Sequence, residues 1–549
     1  MSTHAPLPAG RQQPTVSGMD PSPSSLPESR RTRRTALRRV LIAAILALFA
    51  VSGCVPATEP MEQTTFPFDR RLPIPPLADS QVVDGTRVFQ LDAQEGSSEL
   101  VPGLQTPTWG FNGDVLGPTL RAEEGEQVAV EVRNSLSEPT TVHWHGMHLP
   151  AAMDGGPHQP VAPGSSWRPE WQIDQQAATL WYHPHPHGQT EKHVYRGLAG
   201  MFILDDARSR QLDLPKDYGE DDIPVIVQDK RFDSGGGLVQ DSQGNELGLL
   251  GDTVLANGVA GAVQEVGTEL VRLRLLNGST ARTYDFGFDD DRRFDQIATD
   301  GGLLAEPLQT TRVRLSPGER AEIVVPMVPG EQTMLTSFPP DLGDVLVPSA
   351  FGARDRFDVL LLRAADQLQT SPPLPVRLSD GAAGPVASEA SVTRSFEVQD
   401  RQINGRSMDM NRIDAAPELG STEIWEVTNT HGVPHNWHVH DVQFQVLDID
   451  GAAPPPELRG RKDTVYLEPN RTYRLIMRFE DYADPDSPYM FHCHLLLHED
   501  QGLMGQFVVT GPGQGGSGQG GDGHGQGAAP DDDGGGHPES EVPDTGHQH

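Results

Sequence analysis

Cysteine is nearly absent: the 549-residue chain has two, Cys54 and Cys493. Two thiols cannot build a disulfide framework or a thiolate-only metal cluster. Basic residues are also scarce, with 42 Lys and Arg against 77 Asp and Glu, a formal charge of −35. Such a surface repels nucleic acid and draws cations inward, and it also serves solubility. The apolar run at residues 40–51 is too short to cross a bilayer. Methionine is thin, 13 in all, and forms no rich segment. What is plentiful is Gly and Pro, 58 and 48, as many short strands joined by tight turns require.

The chemistry lies in the histidines. Phe491-His492-Cys493-His494, with His498 following, places a soft thiolate between two imidazoles. On a strand, neighbouring side chains point to opposite faces, so His492 and His494 face one way and Cys493 the other. One tripeptide can then serve a metal site on each side, joined by a few bonds. Three more pairs share the same spacing: His143 and His145 in Thr-Val-His-Trp-His-Gly, His183 and His185 in Trp-Tyr-His-Pro-His, and His438 and His440 in His-Asn-Trp-His-Val-His. Four pairs allow eight imidazoles to converge. His435, Cys493 and His498 remain as a His₂Cys set, the ligand set of a blue-copper electron-transfer site. A lone His-x-His is often only a polar strand face, but four of them with a cysteine are hard to reach by accident. Thiolate with imidazole suits copper or zinc. Structural zinc takes four ligands in a compact motif, and eleven candidates are too many for that.

With these motifs the chain resembles the multicopper oxidases, in their three-domain bacterial laccase and copper-efflux oxidase branch. The resemblance runs over residues 66–510. It includes Leu-Arg-Leu-Leu-Asn-Gly-Ser at 273–279 and Gln-Ile-Asn-Gly at 402–405. It implies an all-β chain of three cupredoxin-like Greek-key β-barrel domains and four coppers per chain. Type 1 copper would be held by His435, Cys493 and His498. Type 2 would take His143 and His438. The type 3 pair would take His145, His183, His185, His440, His492 and His494. The axial type 1 position, ten residues after the cysteine, is Leu503, where the copper-efflux branch has methionine. Leucine cannot coordinate, so Cu(I) gains relative to Cu(II) and the potential rises. Met504 follows it, but on a strand the next residue faces away. Asp154 and Glu499 align with the acids that handle protons beside the oxygen site. Each also reads as an ordinary loop acid. His148, His158, His187, His193 and His431 lie near the motifs and suit supporting or surface positions.

Expected boundaries follow. Residues 1–53, with arginines at 30, 31, 33, 34, 38 and 39 before the apolar run, read as an export signal. Val51-Ser52-Gly53-Cys54 looks like a lipoprotein cleavage box that would lipidate Cys54. Ordinary cleavage after the small residues is the alternative, and the paired arginines leave the twin-arginine route open. Losing residues 1–53 removes seven arginines and two acids and leaves a charge of −40. Residues 54–65 form a tether. Domains follow at 66–206, 221–366 and 388–511, with a linker at 367–385. The tail, residues 512–549, carries His524, His537, His547 and His549 and cannot bury a core. The segments 198–204 and 503–509 echo one another, each a closing strand after a histidine loop.

The leading expectation is an exported, lipid-anchored, monomeric laccase-type oxidase at the bacterial cell envelope. Its partners are a small-molecule reducing substrate, phenolic or similar, and O₂, reduced to water; there is no nucleic acid partner and no membrane contact beyond the anchor. The alternatives are a cuprous oxidase in copper tolerance, with Cu(I) as donor, and a copper-sequestering protein of little turnover. Leu503 and the missing methionine-rich insertion favour the first; Met408 and Met410 are the nearest methionine cluster to that position.

Overall fold

The computed structural model describes residues 60–380 and 384–513. The expected export signal, Cys54 with the first half of the tether, and nearly all of the tail lie outside the described residues. The described chain is built of strands, with three short α-helices, two of them beside the histidine motifs, and scattered single turns. No helix among the described residues is long and apolar enough to cross a membrane.

Six sheets form three packed pairs. The first pair joins a sheet built on Thr86–Ser98 and Gln127–Asn134 to a four-stranded sheet ordered Leu120–Glu123, Gly200–Asp205, Ala178–His183, His143–His145. Apolar side chains from both sheets meet between them, among them Phe89, Val130, Trp144, Leu180 and Phe202. In the middle pair, Asp222–Lys230, Leu270–Asn277 and Arg320–Pro326 pack against Ala262–Thr268, Phe357–Gln369 and Gln332–Phe338. Their core holds Val225, Leu273, Phe286, Ile323 and Leu360. The third pair sets Val392–Gln399, Thr422–Asn429 and Thr472–Arg478 against a sheet ordered Thr464–Leu467, His435–Val439, Asp484–His492, Met504–Val509. Trp425, Trp437, Phe491 and Phe507 fill that core. All three are cupredoxin-like β-barrels, as the motifs implied.

The echo between first and third barrels is structural. Gly200–Asp205 runs antiparallel to the histidine strand Ala178–His183, and Met504–Val509 runs antiparallel to Asp484–His492. Two features fall outside simple domain reading. Arg70–Arg71, early in the chain, pairs in parallel with Ala262–Val263 and so joins the middle barrel's sheet. The linker at 367–385 is docked: Leu378 is buried with Leu212, Leu214, Ile297 and Val324.

Candidate metal centre

Register brings the histidine pairs together. Across the first barrel's sheet His183 lies opposite His143, and across the third barrel's sheet His438 lies opposite His492. Paired residues share a face, so the four motifs present their imidazoles to one interior. His143, His145, His183, His185, His438, His440, His492 and His494 are all buried there.

These residues form three groups whose donor atoms lie within 4.8 Å of one another: His143 with His145 and His438; His145 with His183 and His494; and His185 with His440 and His492. His183 Nε2 is 3.3 Å from His145 Nδ1 and 3.4 Å from His494 Nε2. His492 Nε2 is 3.2 Å from His185 Nε2 and 3.2 Å from His440 Nε2. His143 and His438 face each other through Nε2 at 3.5 Å. Two nitrogens held at about 2.0–2.1 Å around one tetrahedral ion sit about 3.3 Å apart. The spacing therefore fits shared ions.

The outward hydrogen bonds sharpen the point. Nδ1–H donates to a main-chain carbonyl from His143 (Asp154, 3.0 Å), His183 (Pro184, 2.9 Å), His438 (Asp463, 2.9 Å) and His492 (Cys493, 3.2 Å). His440 Nδ1–H donates to Asp154 Oδ2 at 2.7 Å. His145 is turned the other way, with Nε2 3.0 Å from Asp463 Oδ1. In these six tautomers the inward nitrogen is a lone pair facing other imidazole nitrogens. A cation resolves that arrangement, and an outward partner fixing each ring is how metal-binding imidazoles are oriented. Burial holds His145, His183, His185, His438, His440 and His494 well below the usual imidazole range, and His492 at about 3. They are neutral imidazoles at physiological pH.

The second site lies on the opposite face of Cys493. Cys493 Sγ is 3.6 Å from Nδ1 of His435 and 3.6 Å from Nδ1 of His498. His498 Nε2–H donates to Glu246 O at 2.7 Å, which frees Nδ1 to face the sulfur. His435 Nε2 is 3.4 Å from His431 Nδ1. Burial pushes the Cys493 thiol up to about 12, so only a bound cation would make it a thiolate near neutrality. Leu503 is buried in the same apolar cluster as Cys493, and its carbonyl accepts the Cys493 N–H at 3.1 Å. Met504 lies opposite His492 in the strand pair and faces the imidazole side.

Asp154 and Glu499 both lie against the imidazole groups. Asp154 serves His440 through its carboxylate and His143 through its carbonyl. Glu499 lies between the other two rings, 3.3 Å from His185 Nδ1 and 3.3 Å from His492 Nδ1. Neither contact has hydrogen-bond geometry, and both carboxylate oxygens lack a hydrogen-bond partner among the described residues. Burial, reinforced by the negative Asp500, holds Glu499 well above the carboxylate range. Of the remaining histidines, His431 lies against His435, and the other four stand apart from the donor groups. His148 pairs with Asp441, His158 with Gln506 and His193 with Glu138, while His187 is exposed.

Sequence reading missed the groups that hold the site from behind. Trp181 stacks on His183 with ring centroids 4.1 Å apart. Asn436 accepts the His494 N–H through Oδ1, which also lies 3.4 Å from Cys493 Sγ. Asp463 is clamped by Arg320 at 2.7 and 2.6 Å. Trp181 and Asn436 lie beside or between motif residues and Asp463 lies far from any of them, and no periodicity marks the three.

Comparison with known proteins agrees with this geometry. Family models described as multicopper oxidase match residues 92–209 and 383–512. The chain is 35% identical over 437 residues to the multicopper oxidase mco of Staphylococcus haemolyticus, covering 78% of this chain and 89% of that protein. It is 36% identical over 450 residues to the cell division protein FtsP of Escherichia coli, covering 80% of this chain and 92% of that protein. Among solved structures, a laccase from Pediococcus acidilactici superposes with a TM-score of 0.74 at 34% identity, covering 82% of this chain and 95% of that one.

Proposed function

The chain belongs to the multicopper oxidases, copper oxidoreductases that use oxygen, and we propose that it is a laccase-type member with four coppers. In this reading His435, Cys493 and His498 would hold a type 1 copper. His143 and His438 would hold a type 2 ion; His145, His183 and His494 would hold one type 3 ion, and His185, His440 and His492 the other. Bound copper would supply one-electron oxidation of phenolic or similar donors at the first site and the four-electron reduction of O₂ to water at the second. The protein supplies the neutral ligands, the apolar enclosure and the path between the two sites.

The observation that carries the reading is the Cys493–His494 step. The sulfur faces His435 and His498 at 3.6 Å, while the adjacent imidazoles face the cluster. One peptide thus touches both sites. Asp154 orients His440, and Glu499 stands between His185 and His492 with its proton retained, placed to give that proton up inside the enclosure. Leu503 offers no donor atom, so a copper held by His435, Cys493 and His498 would favour its reduced state and a high potential.

A cuprous oxidase is the second reading. Its support is Met408, half-buried against Gly502 beside Leu503, together with the acidic surface. A copper-sequestering or scaffold role with little turnover fits less well because all eleven donor residues are present. We also propose that the protein is exported. Oxygen uptake by the copper-loaded protein, given a phenol and then Cu(I), tests these together. Uptake abolished in Cys493→Ser supports the oxidase, and the faster donor separates the first two readings. Bound copper without uptake would sink both.

A further inference from the structure

We propose that the turn at residues 316–319 of the middle barrel positions the Cys493–His494 bridge, with Gly318 setting the plane of the His494 ring. The inference rests on the copper reading above and adds a role for a barrel that has no ligand of its own.

His494 differs from the other seven cluster imidazoles. Six of them make an outward hydrogen bond, and His185 has Glu499 at 3.3 Å. His494 Nδ1 has no hydrogen-bond partner among the described residues. An imidazole without such a partner is free to turn about its broad χ2 well unless packing stops it. Gly318 supplies that packing. A Cβ placed on Gly318 would lie 3.2 Å from His494 Cγ, 3.2 Å from His494 Cε1 and 3.2 Å from His145 Cε1. The bare backbone of the middle barrel thus passes so near one ring from the third barrel and one from the first that a single added carbon would press on both.

The same turn holds the main chain of the bridge. Asn436 Nδ2 donates to Pro317 O at 3.0 Å and to Ser316 Oγ at 3.3 Å. That fixes Asn436 Oδ1, which receives the His494 N–H and lies against Cys493 Sγ. The turn is itself pinned. Gly318 N–H donates to Asn277 O at 2.9 Å, Ser316 N–H to Glu319 Oε2 at 2.7 Å, and Arg320 Nη1 to Gly318 O at 3.1 Å. A change at Gly318 would therefore reach the His494 ring instead of being absorbed by the turn.

Gly318→Ala tests this, with Gly330→Ala as its control. Both glycines belong to the middle barrel and have positive φ, +86° and +75°. They carry similar backbone strain, but the nearest group to a Cβ on Gly330 is Asp366 Oδ1 at an ordinary 3.6 Å. In the copper-loaded full chain, Gly318→Ala should weaken copper retention against a chelator at the imidazole cluster by roughly tenfold. It should also shift the electron spin resonance of imidazole-bound Cu(II), leaving the blue thiolate absorption in place. Gly330→Ala should match wild type. If Gly318→Ala behaves like Gly330→Ala, the inference is overturned. If Gly318→Ala does not fold, Ser316→Ala removes one Asn436 contact without backbone strain. It should move the same resonance by less, and an unmoved resonance overturns the inference. A wild-type protein lacking the imidazole-site signal would instead sink the copper reading itself.

Discussion

The outer barrels and the middle barrel bury polarity in opposite ways. The outer two bury neutral imidazoles whose lone pairs face each other, an arrangement that waits for cations. The middle one buries full charges already matched. Arg274 is held by Asp222 and Glu322, and Arg282 by Asp229 and Asp355. Arg320 grips Asp463 of the third barrel while its Nε donates to Thr179 O on the first barrel's histidine strand. Lys462 joins Asp300 and Glu319 at 2.9 and 3.0 Å. Buried ion pairs add little net stability, because desolvation offsets their attraction, but they tolerate few geometries. The difference teaches that one barrel fixes the placement of two others while those two keep their coordination unsatisfied for metal.

The largest break in that contrast is at the outer sites. Cys493→Ser removes the soft ligand, so the blue absorption and oxygen uptake should both vanish while the fold, followed by circular dichroism, persists. Retained uptake would remove Cys493 from the electron path. Next comes the middle barrel's grip. Arg320→Met leaves Asp463 and Asp300 buried with one cation fewer and should cost about 3–5 kcal/mol in unfolding free energy. Freed of its clamp, Asp463 should also let go of His145. Thermal unfolding with and without copper separates the two effects, and an unchanged unfolding temperature would show that the network does not lock the barrels.

Much of the outer sites was legible because a strand has a fixed period. His-x-His means one face, and the residue between means the other, before any fold is known. The closing strand after each histidine loop was legible as an echo for the same reason. The middle barrel's part was not. Gly318 meets His145 and His494 across 173 and 176 residues of chain, and a glycine that matters by having no side chain leaves no pattern. Arg320 and Asp463 read separately as surface charges; only burial makes them a pair. The parallel pairing of Arg70–Arg71 with Ala262–Val263 and the docking of Leu378 are likewise long-range contacts without a local signal.

One middle-barrel charge lacks a carboxylate partner and so tests the rule from the other side. Lys230 Nζ donates to Tyr195 O at 2.6 Å and lies 4.4 Å from the Tyr195 ring centroid. Burial lowers its pKa to about 7, against a weaker upward pull from Asp229. The folded state thus releases a proton that the unfolded chain keeps up to about pH 10.4. Between those values the unfolded state binds more protons, so stability rises with pH, and below about pH 7 the full penalty applies. Lys230→Met should remove a penalty on the order of a few kcal/mol, most at low pH and none above about pH 10.4. Denaturant midpoints across that range check it, and parallel wild-type and variant curves would show that Lys230 is not deprotonated on folding.

The smallest expected effect returns to the outer site. The Cys493 N–H meets the carbonyl of Leu503, while Met504 lies opposite His492. The strand therefore turns residue 503 toward the sulfur side and residue 504 toward the imidazoles. Leu503→Met puts a thioether on the sulfur side, where it can donate to copper and favour the oxidised ion. The type 1 potential should fall, and about 59 mV would be a tenfold change in the one-electron equilibrium. Met504→Leu, on the other face, should leave it unmoved. Redox titration of the blue absorption in both variants gives the answer. A fall in Met504→Leu with none in Leu503→Met would reverse the assignment of the two faces and, with it, the placement of the thiolate site on the far side of the strand from the imidazole cluster.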